Sequence, residues 1–379
     1  MSTPPGMRPR PTRAEIDLGA LTYNFRLLAD RAAPRETLAV VKADAYGHGA
    51  VACARTLEAA GTRWLGVATA EEGIALREAG VQARIIVLNG LFTGQADACL
   101  RHDLTPVVYR LATIEELDVA ARSRPDPVRV HLKVDTGMGR VGIPDPEMPA
   151  FAAELKRFPH VEIEGLLTHL ADADLADQAY SERQVVRFEA AATALLAAGH
   201  PVRLRHFANS AATAVGLAGA ADLVRPGILL YGARPAREFD PDLPLRPVMR
   251  LVTEAVFVKR VPAGTPLSYG RTFVTARESV IATLPIGYAD GLSRKLSNRG
   301  QVLARGRRLP IVGRVCMDLT LVDATEIPDF KVGEEVVLIG SQGEDCIDVE
   351  DVADWAETIG YEVLCAISCR VPRVYSDGR

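Results

Sequence analysis

The sequence predicts an α/β chain with an added β unit: an N-terminal (β/α)8 TIM-type barrel and a C-terminal, mainly antiparallel β domain. Eight short apolar runs, most of them separated by helical stretches, occupy residues 37–230. The hydrophobic period then changes after about Leu243, and a stretch with four prolines, Pro235 to Pro247, marks the junction.

The first twelve residues, MSTPPGMRPRPT, are charged and proline-broken, with no apolar segment of the kind a secretory signal needs. They are expected to form a disordered tail (1–12), ahead of a barrel domain at 13–243 and a β domain at 244–379. The barrel runs are TLAVVK (37–42), WLGVA (64–68), RIIVLN (84–89), LTPVVY (104–109), VRVHLKVD (128–135), VEIEGLLTH (161–169), RLRHF (203–207) and DLVRPGILL (222–230). Near-continuous apolar strands belong to parallel sheets covered on both faces, and eight is the number that closes into a barrel. An open doubly wound sheet is the competing arrangement, but no Gly-x-Gly-x-x-Gly turn follows the first run. Segments 248–261, 279–287, 301–305, 310–323 and 335–340 are rich in Val, Ile, Leu and Thr and broken by Gly or Pro turns, without long helices between them.

Composition excludes several function classes. A net charge of −4 gives no basic footprint for nucleic acid, and no apolar run is long enough to span a bilayer. The six cysteines are scattered without a C-x-x-C pair, which points to reduced thiols in the cytoplasm rather than to disulfides or zinc.

In a barrel of this kind functional groups collect where strands end. The first run ends in Lys42, one of only six lysines among 44 basic residues. A lysine closing an apolar strand is partly desolvated, which lowers its pKa and makes the amine a usable nucleophile toward an aldehyde. Later strand ends carry Lys133 and Arg140, then His169, then His206 with Asn209 and Ser210, then Arg225 with Gly227 and Ile228. Taken singly each has a structural explanation, such as a helix cap for Asn209 or a satisfied core histidine for His169. Together they converge on one rim.

Those residues lie in AVVKADAYGHG, DTGMGRVG, HFANSAA and RPGILLYG, followed in order by PLSYGRTF, IGYADG, VGRVCMDLTLVD, and YEV with RVPR. From about Thr12 onward the chain closely resembles the alanine racemase family, fold-type III enzymes that use pyridoxal 5'-phosphate (PLP). The resemblance implies that Lys42 holds PLP and is the base on one face of the substrate, with Tyr269 as base on the opposite face. A free phenol ionises only near ~10, so a tyrosine base depends on neighbouring positive charge, which the resemblance supplies through Arg225 and His206. It also implies that Arg225 faces the pyridine nitrogen, where a guanidinium, having donors only, leaves the ring unprotonated and a weaker electron sink.

The resemblance further assigns the phosphate to Tyr46, Ser210, the amides of Gly227 and Ile228, and Tyr361, with Asn209 among the cofactor contacts and His169 against the ring. Arg140 and the Met317 amide would take the substrate carboxylate. Lys133 matches a lysine that some members carry as a carbamate. His206, Tyr288 and Asp318 are expected in supporting roles. Tyr269, Tyr288 and Met317 would act on the barrel of another subunit, implying a homodimer with shared sites that racemises alanine and supplies D-alanine for peptidoglycan. Cys369 stands where many members have Tyr, which bears on the entrance. The rivals are a broader racemase acting on serine, a decarboxylase of the same fold and a single-barrel PLP-binding protein. A decarboxylase would carry an acidic residue in place of Arg225 and a Cys-Glu-Ser-Gly-like segment where this chain has Val-Cys316-Met-Asp. A single barrel would lack the β domain.

Overall fold

A computed structural model describes residues 10–240 and 242–378. All eight runs form strands in one parallel sheet: Glu36–Val40, Trp64–Val67, Arg84–Val87, Leu104–Val108, Val128–Asp135, Val161–Leu167, Leu204–His206 and Leu223–Val224. The last strand pairs with the first, Leu223 opposite Glu36. The remaining seam is bridged by the Asp222 amide donating to Arg205 O (2.8 Å) and the Arg225 amide to Ala208 O (2.8 Å). The barrel is therefore nearly closed, its strands covered on both faces and carrying fully buried residues such as Leu38, Leu65, Ile85, Val107 and Leu166. Helix Leu18–Ala32 packs over the end of the barrel chain, where buried Asn24 donates to Leu230 O (3.1 Å) and Arg246 O (2.7 Å) and so pins the linker.

The strand Arg13–Asp17 departs from the expected layout. It does not join the barrel but pairs antiparallel with Met249–Glu254 and parallel with Arg373–Ser376 in the C-terminal sheet. Its alternation, with Ala14 and Ile16 fully buried, is the half-buried pattern of such a sheet. Residues 1–9 of the expected tail lie outside the described residues. Thr12, placed in that tail by sequence, is buried and donates to Pro285 O at 2.8 Å.

In the β domain, the segment 248–261 divides into Met249–Glu254 and Phe257–Val261, which enter different sheets. Of segment 310–323, Pro310 ends the strand Arg307–Pro310 and Thr320–Asp323 forms another, with the loop that carries Met317 between them. Two helices, Val349–Ala356 and Gly360–Ala366, were not expected. The first is announced by a capping box, Asp348 accepting from the Asp351 amide (2.6 Å). Among the described residues, no helix is long and apolar enough to cross a membrane.

Candidate active site

At the carboxyl end of the barrel strands lies a cavity of about 540 Å³. It is lined by Lys42, Tyr46, Lys133, Arg140, His169, Asn209, Ser210, Arg225, Gly227, Ile228 and Tyr361. Tyr361 comes from the C-terminal helix Gly360–Ala366, so the two units build the cavity jointly.

Lys42 opens an uncommon backbone. Ala43, Asp44, Ala45 and Tyr46 all have φ of 53–54°, one left-handed turn made of ordinary L residues. Each such residue costs roughly 1–2 kcal/mol, so the turn persists only because its surroundings hold it. The Ala43 amide donates to Glu72 Oε1 (2.8 Å) and the Ala50 amide to Asp44 Oδ1 (2.7 Å). Buried His48 sits 2.9 Å from both the Ala45 and Tyr46 carbonyls through Nδ1, and stacks on Tyr231 at 4.6 Å. Burial lowers His48 to about 4, so the ring stays neutral. The turn places Lys42 and Tyr46, four residues apart, on one cavity.

The cavity is cationic. Burial and then Arg140 lower the Lys42 amine, favouring the neutral nucleophilic form. Burial alone brings fully buried Arg225 to about 9, still a cation at neutral pH. Arg225 donates from one terminal nitrogen to Thr168 O (2.8 Å) and Phe207 O (3.3 Å), with His169 Nδ1 3.4 Å away. His169 is held well below its ordinary value by burial and by Arg225, and is a neutral acceptor.

The same cavity gathers uncharged donors. The Gly227 amide donates to Ser210 Oγ (2.7 Å), and Asn209 caps the short helix behind it by accepting from the Ala212 amide (3.0 Å). A Cβ at Gly227 would come within 2.3 Å of the Tyr46 hydroxyl, so only glycine lets that phenol approach the backbone. Hydroxyls and amides beside several cations, with a desolvated amine in the same cavity, are a donor set suited to PLP.

Lys133 is lowered to about 8, first by burial and then by Arg225 and Arg140. The unfolded amine titrates at its ordinary 10.5, so between pH 8 and 10.5 the unfolded chain binds more protons and the parent gains stability as pH rises. A Lys133→Met variant, melted without PLP, should therefore lose up to roughly 3 kcal/mol of its advantage over the parent between pH 8 and 10. A constant difference in melting across that range would refute the shifted amine.

Tyr269, Tyr288, Met317 and Asp318 are not in this cavity. Tyr269 is 72% exposed, on a turn where Ser268, Gly270 and Arg271 all have positive φ. The Ser268 hydroxyl donates to Arg314 O (2.7 Å) and lies 3.6 Å from Cys316 Sγ. The Tyr288 amide donates to Cys316 O and the Ala289 amide to Met317 O, each at 3.0 Å. Tyr269, Tyr288 and Met317 thus stand on adjoining loops of one β-domain face, all exposed. Asp318 pairs with Arg370 (2.8 Å).

His206 meets Arg225, as expected, but does not line the cavity. It is completely buried inside the barrel, with Nδ1 3.3 Å from Arg225 and Nε2 2.7 Å from His131 Nδ1, so both ring nitrogens are engaged. His169 is the histidine that lines the cavity. Sequence reasoning also missed His131 and Glu164. Their signal was a histidine and a glutamate within otherwise apolar barrel runs, where a polar residue needs a buried partner.

The sequence matches the family models for the alanine racemase N-terminal domain over residues 16–235 and C-terminal domain over residues 248–375. Alanine racemase of Halothermothrix orenii is 47% identical over 369 residues, covering 97% of each chain. The alanine racemase structure from the D-cycloserine producer Streptomyces lavendulae superposes with TM-score 0.92 at 37% identity, covering 98% of this chain and 99% of that one. That from Bartonella henselae, with covalently bound pyridoxal phosphate, gives TM-score 0.88 at 34% identity over 97% and 100% of the two chains.

Proposed function

The chain belongs to the alanine racemase family, and from that premise we propose that its cavity is one half of a two-base site completed by the β domain of a second copy. The activity is the PLP-dependent interconversion of L- and D-alanine. One observation carries the shared-site reading: the cavity gathers Lys42 with the donors suited to PLP, while Tyr269 and Met317 stand exposed on another face of the same chain.

When bound, PLP withdraws electron density from the substrate's α-carbon and acidifies its C–H bond. Lys42 Nζ would hold the cofactor and exchange a proton on one face of that carbon. Tyr269 Oη of the second copy would do so on the other, because inversion requires a proton to leave from one side and return from the opposite side. Arg140 and the Met317 amide would hold the alanine carboxylate, and Lys133 would brace Arg140. Tyr46, Ser210, Tyr361 and the Gly227 and Ile228 amides would take the phosphate. Tyr269 and Tyr288 would narrow the entrance and favour a methyl side chain. A cytoplasmic location, with D-alanine feeding cell-wall peptidoglycan, agrees with six unpaired cysteines.

Complementation tests the shared site. Lys42→Ala and Tyr269→Phe should each be inactive alone, whereas unfolding and refolding them together should restore about a quarter of the parent rate, since half of the dimers are mixed and each mixed dimer has one intact site. No recovery from mixed dimers, isolated with two different tags, would place both bases in one chain.

A further inference from the structure

A line of buried polar groups runs from the cavity into the barrel. Arg225 meets His206 Nδ1 at 3.3 Å, His206 Nε2 meets His131 Nδ1 at 2.7 Å, and His131 Nε2 meets Glu164 Oε2 at 3.4 Å. Arg84 closes the line with a two-pronged contact to Glu164, 2.9 and 2.5 Å, its guanidinium 4.2 Å above the Trp64 ring. Both histidines are wholly buried. The neighbouring strand provides the room, because a Cβ at Gly165, which pairs with His131, would sit 2.5 Å from the His131 ring.

Only one arrangement of protons satisfies every contact. An ionised carboxylate accepts only, so His131 must carry its proton on Nε2 and present a bare Nδ1. His206 must then donate from Nε2, which leaves its own Nδ1 bare to accept from Arg225. Burial alone would raise Glu164, but His131 and Arg84 outweigh it and hold the carboxyl at about 2, so the anchor stays charged. Burial lowers both histidines, and each remains a neutral imidazole at neutral pH. Were the order reversed, His206 would turn an N–H toward a guanidinium that has only donors.

We infer that Glu164, acting through His131 and His206, is a positioning residue that fixes the proton order of this chain and thereby keeps Arg225 a stationary cationic donor in the cofactor cavity. The inference rests on the reading that Arg225 faces the PLP ring nitrogen. Its consequence is fidelity. With Arg225 held, the proton would return to the α-carbon; with Arg225 loosened, it would more often go to the cofactor's aldehyde-derived carbon, and water would then cleave the C=N bond, so that pyruvate leaves and the amino group and two electrons stay on the cofactor.

Two measurements test this. Nitrogen-15 NMR of histidine-labelled, cofactor-free parent protein should find His131 and His206 both protonated on Nε2. That requires no substitution and does not depend on where PLP binds. In the holoenzyme, Glu164→Gln, whose amide can donate to His131 and reverse the order, should shift the His206 tautomer and raise pyruvate formed per racemisation about tenfold. The neighbouring Glu162→Gln should leave that ratio unchanged. A parent His206 protonated on Nδ1, or a Glu164→Gln enzyme with the parental ratio, overturns the inference. If the parent itself fails to racemise alanine while the tautomers are as stated, the fault lies with the active-site reading and not with the chain of histidines.

Discussion

Lys42→Ala should abolish the visible absorbance of bound PLP and cut racemisation by at least about 10^4-fold, because it removes both the covalent tether and one of the two bases. The fold should survive. Lys42 is a partly buried amine whose pKa burial already lowers, so its loss relieves a desolvated charge rather than breaking a structural pair. The left-handed turn that follows is held by Glu72, Asp44 and His48, not by the lysine. An absorbance spectrum, a far-ultraviolet circular dichroism spectrum and a racemisation assay on one preparation check all three statements. Reduction of the parent holoenzyme with borohydride should leave the cofactor on the peptide containing Lys42. An adduct on any other lysine would sink the assignment.

Tyr269→Phe should behave differently. The ring stays and only the hydroxyl goes, so PLP should remain bound with its parental spectrum while racemisation falls roughly 10²–10⁴-fold, the range for loss of a positioned acid or base. The surviving base gives a second readout. In deuterium oxide, Lys42 should still exchange the α-proton of one alanine enantiomer, detected by proton NMR, without producing the other. Racemisation at the parental rate, or exchange of both enantiomers, would refute the two-base assignment.

Much of the fold was legible because its signals are local. Each barrel run became a strand, and the run 128–135 matches its strand end to end. The placement of Lys42, Arg140, His169 and Arg225 on one rim followed from chain direction alone, because parallel strands all end on the same side. The β domain was less legible. Its helix Val349–Ala356 follows a capping box of two aspartates, and the strand Arg13–Asp17 lies beside Arg373–Ser376, some 360 positions away, a pairing that no window on the chain contains.

The sequence by itself determined the order of strands and helices, the lysine at the first strand end, and the family motifs, all properties of residues close together along the chain. Tertiary structure alone decided which groups act on one another. Strand register sets His131 opposite Gly165 and His206 opposite Leu167, which lines up four polar groups inside an apolar barrel. The packing of helix Gly360–Ala366 brings Tyr361 to a cavity begun at Lys42, and the turn at Ser268 leaves Tyr269 facing outward. The reason is physical: hydrophobic periodicity fixes which face of an element is buried, whereas hydrogen bonds between distant side chains depend on the register and closure of the whole sheet.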